Sequence, residues 1–271
     1  MTSTSNLSVF VFSLLPIVMY VYLLYFLIPY RFVSIHRSRR YLISGLMSPF
    51  LIFLFYFILP WWGDTIGGNT LVKYLFYAII QIGLLEEFSK FCVFQWVTSE
   101  RISARHDLPV ATMFYSLMTS LGFAFTENLS YIMSLYQTNS DNPVITSTEL
   151  KYSMLALAAS RSITAVVMHM ICGVMLGYFI SKSRNNSIKI SFSGISYISK
   201  DLRMPKLTNL ALGIGIAALY HGIYDVNLML PDNNYKMLFT AIIILFGLVI
   251  GYFMTKDLIE ESKGIRRIKL N

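Results

Sequence analysis

The chain of 271 residues is 55% hydrophobic, 15% aromatic and only 13% charged, with a mean hydropathy of +0.59. Soluble domains carry about 25% charged residues, so this composition excludes one, and the aromatic content excludes a disordered chain. The net charge of +8 lies in short basic stretches between apolar runs, which excludes a nucleic-acid partner and makes the lipid bilayer the first partner of the chain.

A membrane-crossing helix needs roughly 20 apolar residues, and seven stretches provide them, at about 7–30, 41–60, 71–97, 108–135, 152–180, 207–230 and 237–255. The expected fold is an all-α polytopic membrane helical bundle of about seven transmembrane helices. The first run has no Lys or Arg before it and no small-residue cleavage site behind it, so it reads as an anchor. Basic residues then set the orientation. Arg31, Arg37, Arg39 and Arg40 follow the first run, and Arg101 and Arg105 follow the third. The loop after the fifth run and the C-terminal tail bring this set to seventeen, against Lys73, Lys151 and Lys236 in the alternate loops. The N-terminus is therefore expected outside and the C-terminus in the cytoplasm. Residues 1–70 form the first two helices, 71–230 a catalytic core, and 231–271 the last helix and a cytoplasmic tail. The polar stretch at about 181–206 is too short and Ser-rich to fold alone and reads as a cytoplasmic loop. Cys92 and Cys172 both lie in apolar runs, so neither a disulfide framework nor a Cys-based zinc site is expected.

Ionisable groups at hydrocarbon depth are costly, about 2.5–3.5 kcal/mol each, and they gather in runs three to six. The third run carries Glu86-Glu87-Phe88-Ser89-Lys90, in which Glu86 and Lys90 share a face at i,i+4 while Glu87 points about 100° away. The fourth carries Phe123, then Glu127-Asn128 and Tyr131. Arg161 and His169 stand eight residues apart in the fifth, about 80° around the helix, with Gly173 and Gly177 beyond them as a small-residue packing seam. The sixth carries His221 and Asp225 at i,i+4. There Asp225 either orients the imidazole or projects with it to one point. Each motif also has a plain structural use, as an ion pair or a cross-helix hydrogen bond. Yet at about 1.5 Å of rise per residue these groups fall within about 12 Å of depth, so they are expected to converge on a bundle interior or a water-filled cavity. A buried Arg161 needs a carboxylate partner, Glu127 or Asp225.

Glu-Glu-x-x-Lys, Phe-x-x-x-Glu-Asn, Arg with His-x-x-x-Gly, and His-x-x-x-Asp, in this order and each in its own apolar run, resemble the PrsW family of intramembrane proteases, within the wider CAAX-processing and bacteriocin-processing group. The resemblance covers roughly residues 71–230. It implies Glu86 as the glutamate that activates water, with Glu87 beside it. It places Glu127 where CAAX relatives carry a histidine, His169 in the third motif, and His221 with Asp225 in the fourth, where CAAX relatives often carry Asn. That difference leaves open whether position 225 donates a hydrogen bond or only orients His221.

Amide hydrolysis needs a base for water, a donor or cation for the oxyanion, and an acid for the leaving amine. Glu86 suits the first. His221 serves either as an oxyanion donor or, with His169 and a carboxylate, as a ligand of Zn²⁺; no His-Glu-x-x-His motif is present to decide between them. The sequence thus points to a peptidase in the plasma membrane of a bacterium, cutting a membrane protein or peptide. The resemblance adds an anti-sigma factor as one substrate class. The alternatives are a non-catalytic scaffold or immunity factor, and an ion or proton transporter built on the same residues.

Overall fold

The structure is a computed structural model that describes residues 3–28, 32–58, 70–99, 108–139, 146–191, 203–231 and 234–270. Arg31, Arg101 and Arg105, and Lys200 of the loop after the fifth run, which count among the seventeen orienting residues, lie outside these residues. The described elements are helical: α1 (Ser3–Leu27), α2 (Ile35–Gly45), α3 (Ser48–Ile58), α4 (Thr70–Phe76), a π-helical segment (Tyr77–Leu84), α5 (Leu85–Ser99), α6 (Pro109–Asn139), α7 (Ser147–Ile163), α8 (Ala165–Ser191), α9 (Arg203–Met229) and α10 (Lys236–Leu270).

Five stretches are long and apolar enough to cross a membrane: Phe10–Leu27, Ile35–Phe57, Ser147–Ser183, Leu207–Met229 and Lys236–Ile265. The protein is thus an integral membrane protein with an all-α bundle fold. The other two expected stretches are helical but more polar. Residues 70–99 hold Glu86, Glu87 and Lys90, and α6 is interspersed with Thr112, Ser116, Thr119 and Ser120. Packing explains how α6 tolerates these hydroxyls. Every residue from Pro109 to Ala124 is buried, because α1, α2, α5, α7, α8 and α10 all pack against α6, so protein and not lipid surrounds its first half.

Glycines set the closest approaches. A side chain at Gly177 would meet the Met113 Cα at 2.6 Å, and one at Gly173 the Ser120 Oγ at 2.7 Å, which makes the expected small-residue seam the contact between α8 and α6. A second approach joins the π-helical segment to α9, where a Cβ on Gly222 would lie 2.6 Å from the Ile79 Cα. Neither backbone can yield there, and Gly222 adjoins His221. Gly222→Ala is therefore expected to cost about 1–3 kcal/mol of stability, read as a lower unfolding temperature in detergent. Wild-type stability in that variant would show that the two helices can separate freely.

Three features differ from the sequence expectation. The fifth stretch begins at Ser147, where Thr146 and Glu149 form a reciprocal capping box, and it breaks at Thr164 between α7 and α8. The π-helical turns lie directly before the Glu86-Glu87 pair. The last helix also runs on to Leu270, so the segment read as a tail is helical. This extension is fixed to α8 by Lys182, which pairs with Asp257 at 2.7 Å and Glu261 at 2.9 Å.

Candidate active site

Four helical stretches bring the expected residues to one place. α5 supplies Glu86, Glu87 and Lys90, α6 supplies Glu127, the α7–α8 stretch supplies Arg161 and His169, and α9 supplies His221 and Asp225. The two imidazoles meet edge to face with centroids 5.0 Å apart. Their accessibility divides the cluster into two layers. Glu86, Glu127 and Asp225 keep 13, 20 and 15% of their side-chain surface, whereas Glu87, Lys90, His169 and His221 are sealed.

The sealed layer is a continuous chain of contacts. Lys90 Nζ donates to Glu87 Oε1 at 2.7 Å and lies 2.9 Å from His169 Nδ1, while Glu87 Oε1 lies 2.9 Å from His221 Nδ1. Lys90 also sits 4.0 Å over the Phe123 ring. Glu86 stands 3.8 Å from Lys90, as its i,i+4 spacing implies, but Glu87, expected to point away, is the closer partner at 2.7 Å. At i,i+3 and i,i+4 both carboxylates are within reach of the lysine, and Glu87 takes the closer place, its Oε1 also held by His221 Nδ1.

The accessible layer faces the other ring nitrogens. His169 Nε2 is 2.6 Å from Glu127 Oε2, which also pairs with Arg161 at 2.9 Å. Arg161 Nε donates to Asn128 Oδ1 at 2.7 Å, and its guanidinium lies 3.8 Å from the Tyr131 ring centroid. Glu127 is thus the carboxylate partner that Arg161 required. His221 Nε2 lies 3.3 Å from Asp225 Oδ2 and 3.6 Å from Glu86 Oε2. Neither oxygen has a hydrogen-bond partner among the described residues. Asp225 therefore stands with His221 at a shared point, and it is Glu87 that holds the imidazole from behind. Sequence reasoning did not foresee the Lys90 contact with His169 or the Asn128 contact with Arg161, although both residues stand inside the motifs.

Among the described residues, two groups bring ligand-type atoms within 4.8 Å of one another: Glu86, His169 and His221, and Glu87, Cys172 and His221. The second is unsuited to a cation because the Lys90 ammonium already occupies Glu87. The first fits a divalent ion in chemistry, with imidazole nitrogens and carboxylate oxygens of the kind that zinc takes, and with the buried Glu86 Oε2 lacking a hydrogen-bond partner.

A membrane bundle that gathers carboxylates and histidines from four helical stretches on one buried point defines an integral membrane protein with an internal polar site. The family model for PrsW family intramembrane metalloprotease matches residues 40–252, and the chain belongs to that family. It is 26% identical over 175 residues to a protease PrsW of Oceanobacillus iheyensis, covering 65% of this chain and 64% of that protein. It is 25% identical over 197 residues to a protease PrsW of Clostridioides difficile, covering 72% of this chain and 68% of that protein. The first match therefore spans a little under two thirds of the relative's length. No solved structure matches the chain.

Proposed function

We propose that the protein is a membrane-embedded peptidase that hydrolyses a peptide bond in a membrane-associated protein or peptide, with Glu86 as the general base. The observation that carries this reading is the partly accessible Glu86 carboxylate with an unpartnered oxygen 3.6 Å from a sealed, oriented histidine. Glu86 takes a proton from water as the water attacks the scissile carbonyl and returns it to the leaving amine. The histidines face the charge that develops on the carbonyl oxygen. His169 and His221, with one carboxylate of the cluster, would hold a divalent cation. When bound, such an ion supplies Lewis acidity to the carbonyl.

An anti-sigma factor is the substrate class suggested by the family resemblance. The bacterial relatives support a bacterial plasma membrane, and the basic-residue bias supports a cytoplasmic C-terminus. A scaffold would have no need of so many costly charges at this depth, and no internal repeat favours a transporter. The test is purification in detergent, metal analysis, and cleavage of a labelled transmembrane peptide panel. Chelator-sensitive hydrolysis by the wild type is expected, with His221→Ala reduced about 10²–10³-fold. Hydrolysis that survives His221→Ala would remove the cluster from the reaction.

A further inference from the structure

One arc of α2 is basic, exposed and far in sequence from any acid. Ser38, Tyr41 and Gly45 form the buried face of this helix. That face is locked, because the Tyr41 ring stacks on Phe94 and Tyr115 and its hydroxyl lies 3.0 Å from Thr98 Oγ1. At about 100° per residue the opposite arc holds Ile35, Arg39 and Ile43 in one strip and His36 with Arg40 in the next, and all five are exposed. Among the described residues no carboxylate pairs with Arg39 or Arg40. The local sequence offers none, since no Asp or Glu precedes Asp64.

The arc lies at the rim of the bundle. α2 opens the apolar stretch Ile35–Phe57, and the Ser34 N–H donates to the Tyr115 hydroxyl near the start of α6. The Val110 N–H of α6 donates to Ser262 in the last part of α10. These contacts set the arc at the end of the bundle proposed above as cytoplasmic. Arg39 stands about 6 Å further in than Ile35, and Ile43 about 6 Å beyond Arg39. The guanidinium groups reach back towards the surface on long stems, while Ile43, 61% exposed, faces the apolar layer. A dissolved anion would match the guanidinium groups alone. A phospholipid matches both features, with phosphate oxygens on the arginines and acyl chains on the isoleucine.

We infer that this arc of α2 is a docking surface for an anionic phospholipid, with Arg39 and Arg40 holding the headgroup and Ile43 lying against the acyl chains. The inference goes beyond the peptidase reading and does not depend on it. The test is lipid-selective quenching of a tryptophan placed on the arc. Ile43→Trp is made in a chain whose three tryptophans, Trp61, Trp62 and Trp96, are replaced by Phe. The protein is reconstituted in phosphatidylcholine mixed with brominated phosphatidylglycerol or with brominated phosphatidylcholine. Phosphatidylglycerol is expected to outcompete phosphatidylcholine at this position about 30-fold, near fivefold for each arginine at the surface. Phe246→Trp, on the exposed apolar middle of α10, should show a ratio near one. In the Ile43→Trp chain, Arg39→Gln together with Arg40→Gln should bring the ratio below about threefold. Lys151→Gln, which removes an exposed basic charge from α7, should leave it unchanged. Equal quenching by the two lipids overturns the inference, as does a preference that survives the double substitution, appears equally at position 246, or falls as far with Lys151→Gln. If the double variant does not fold, Arg39→Gln and Arg40→Gln decide singly, each with an expected loss of about fivefold.

Discussion

Glu86→Gln is expected to lower hydrolysis about 10²–10⁴-fold with expression and unfolding temperature close to wild type, the range for losing a general base. The amide keeps the shape of the carboxylate but cannot take a proton from water. Stability should change little because Glu86 Oε2 accepts no hydrogen bond and lies 3.8 Å from Lys90. Glu87→Gln provides the contrast. It weakens a sealed 2.7 Å ion pair and the support of His221 together, so stability and activity should fall in the same variant. Hydrolysis by Glu86→Gln above about a tenth of wild type would transfer the base to another carboxylate, with Glu127 and Asp225 the accessible ones.

The helices and their polar cargo were legible in the sequence because both follow from the bilayer. A lipid-facing helix must be apolar, so charged residues inside apolar runs mark the positions that face protein. Glu86, Glu127, His169, His221 and Asp225 were all found on that principle. Three details were beyond it. The closer place of Glu87 at Lys90 goes with a contact to His221, which lies 131 positions beyond the lysine along the chain. The π-helical turns before Glu86 arise where that stretch presses on α9 at Gly222, and no local residue pattern specifies them. The helical continuation of α10 to Leu270 was read as a tail because its charges break the apolar pattern. Lys182 on α8 turns two of those charges, Asp257 and Glu261, into packing contacts.

Arg161→Ala is expected to cost about 3 kcal/mol, the lower end for removing one partner of a buried pair, since Arg161 and Glu127 retain 11 and 20% of their side-chain surface. The loss should appear as a lower unfolding temperature together with lower activity. Arg161, in the last turn of α7 before the break at Thr164, ties that helix to Glu127 and Asn128 of α6, so removing it leaves the Glu127 carboxylate with His169 as its close partner. A substrate-binding role would instead raise KM in a protein of normal stability. The cycle with Glu127→Gln separates these cases. If the pair is structural, Gln at 127 removes the uncompensated charge, and the double variant should be more stable than Arg161→Ala, with a coupling of about 0.5–3 kcal/mol. Strictly additive losses would mean that the 2.9 Å contact contributes nothing to stability, leaving the Arg161 hydrogen bond to Asn128 as its structural tie to α6.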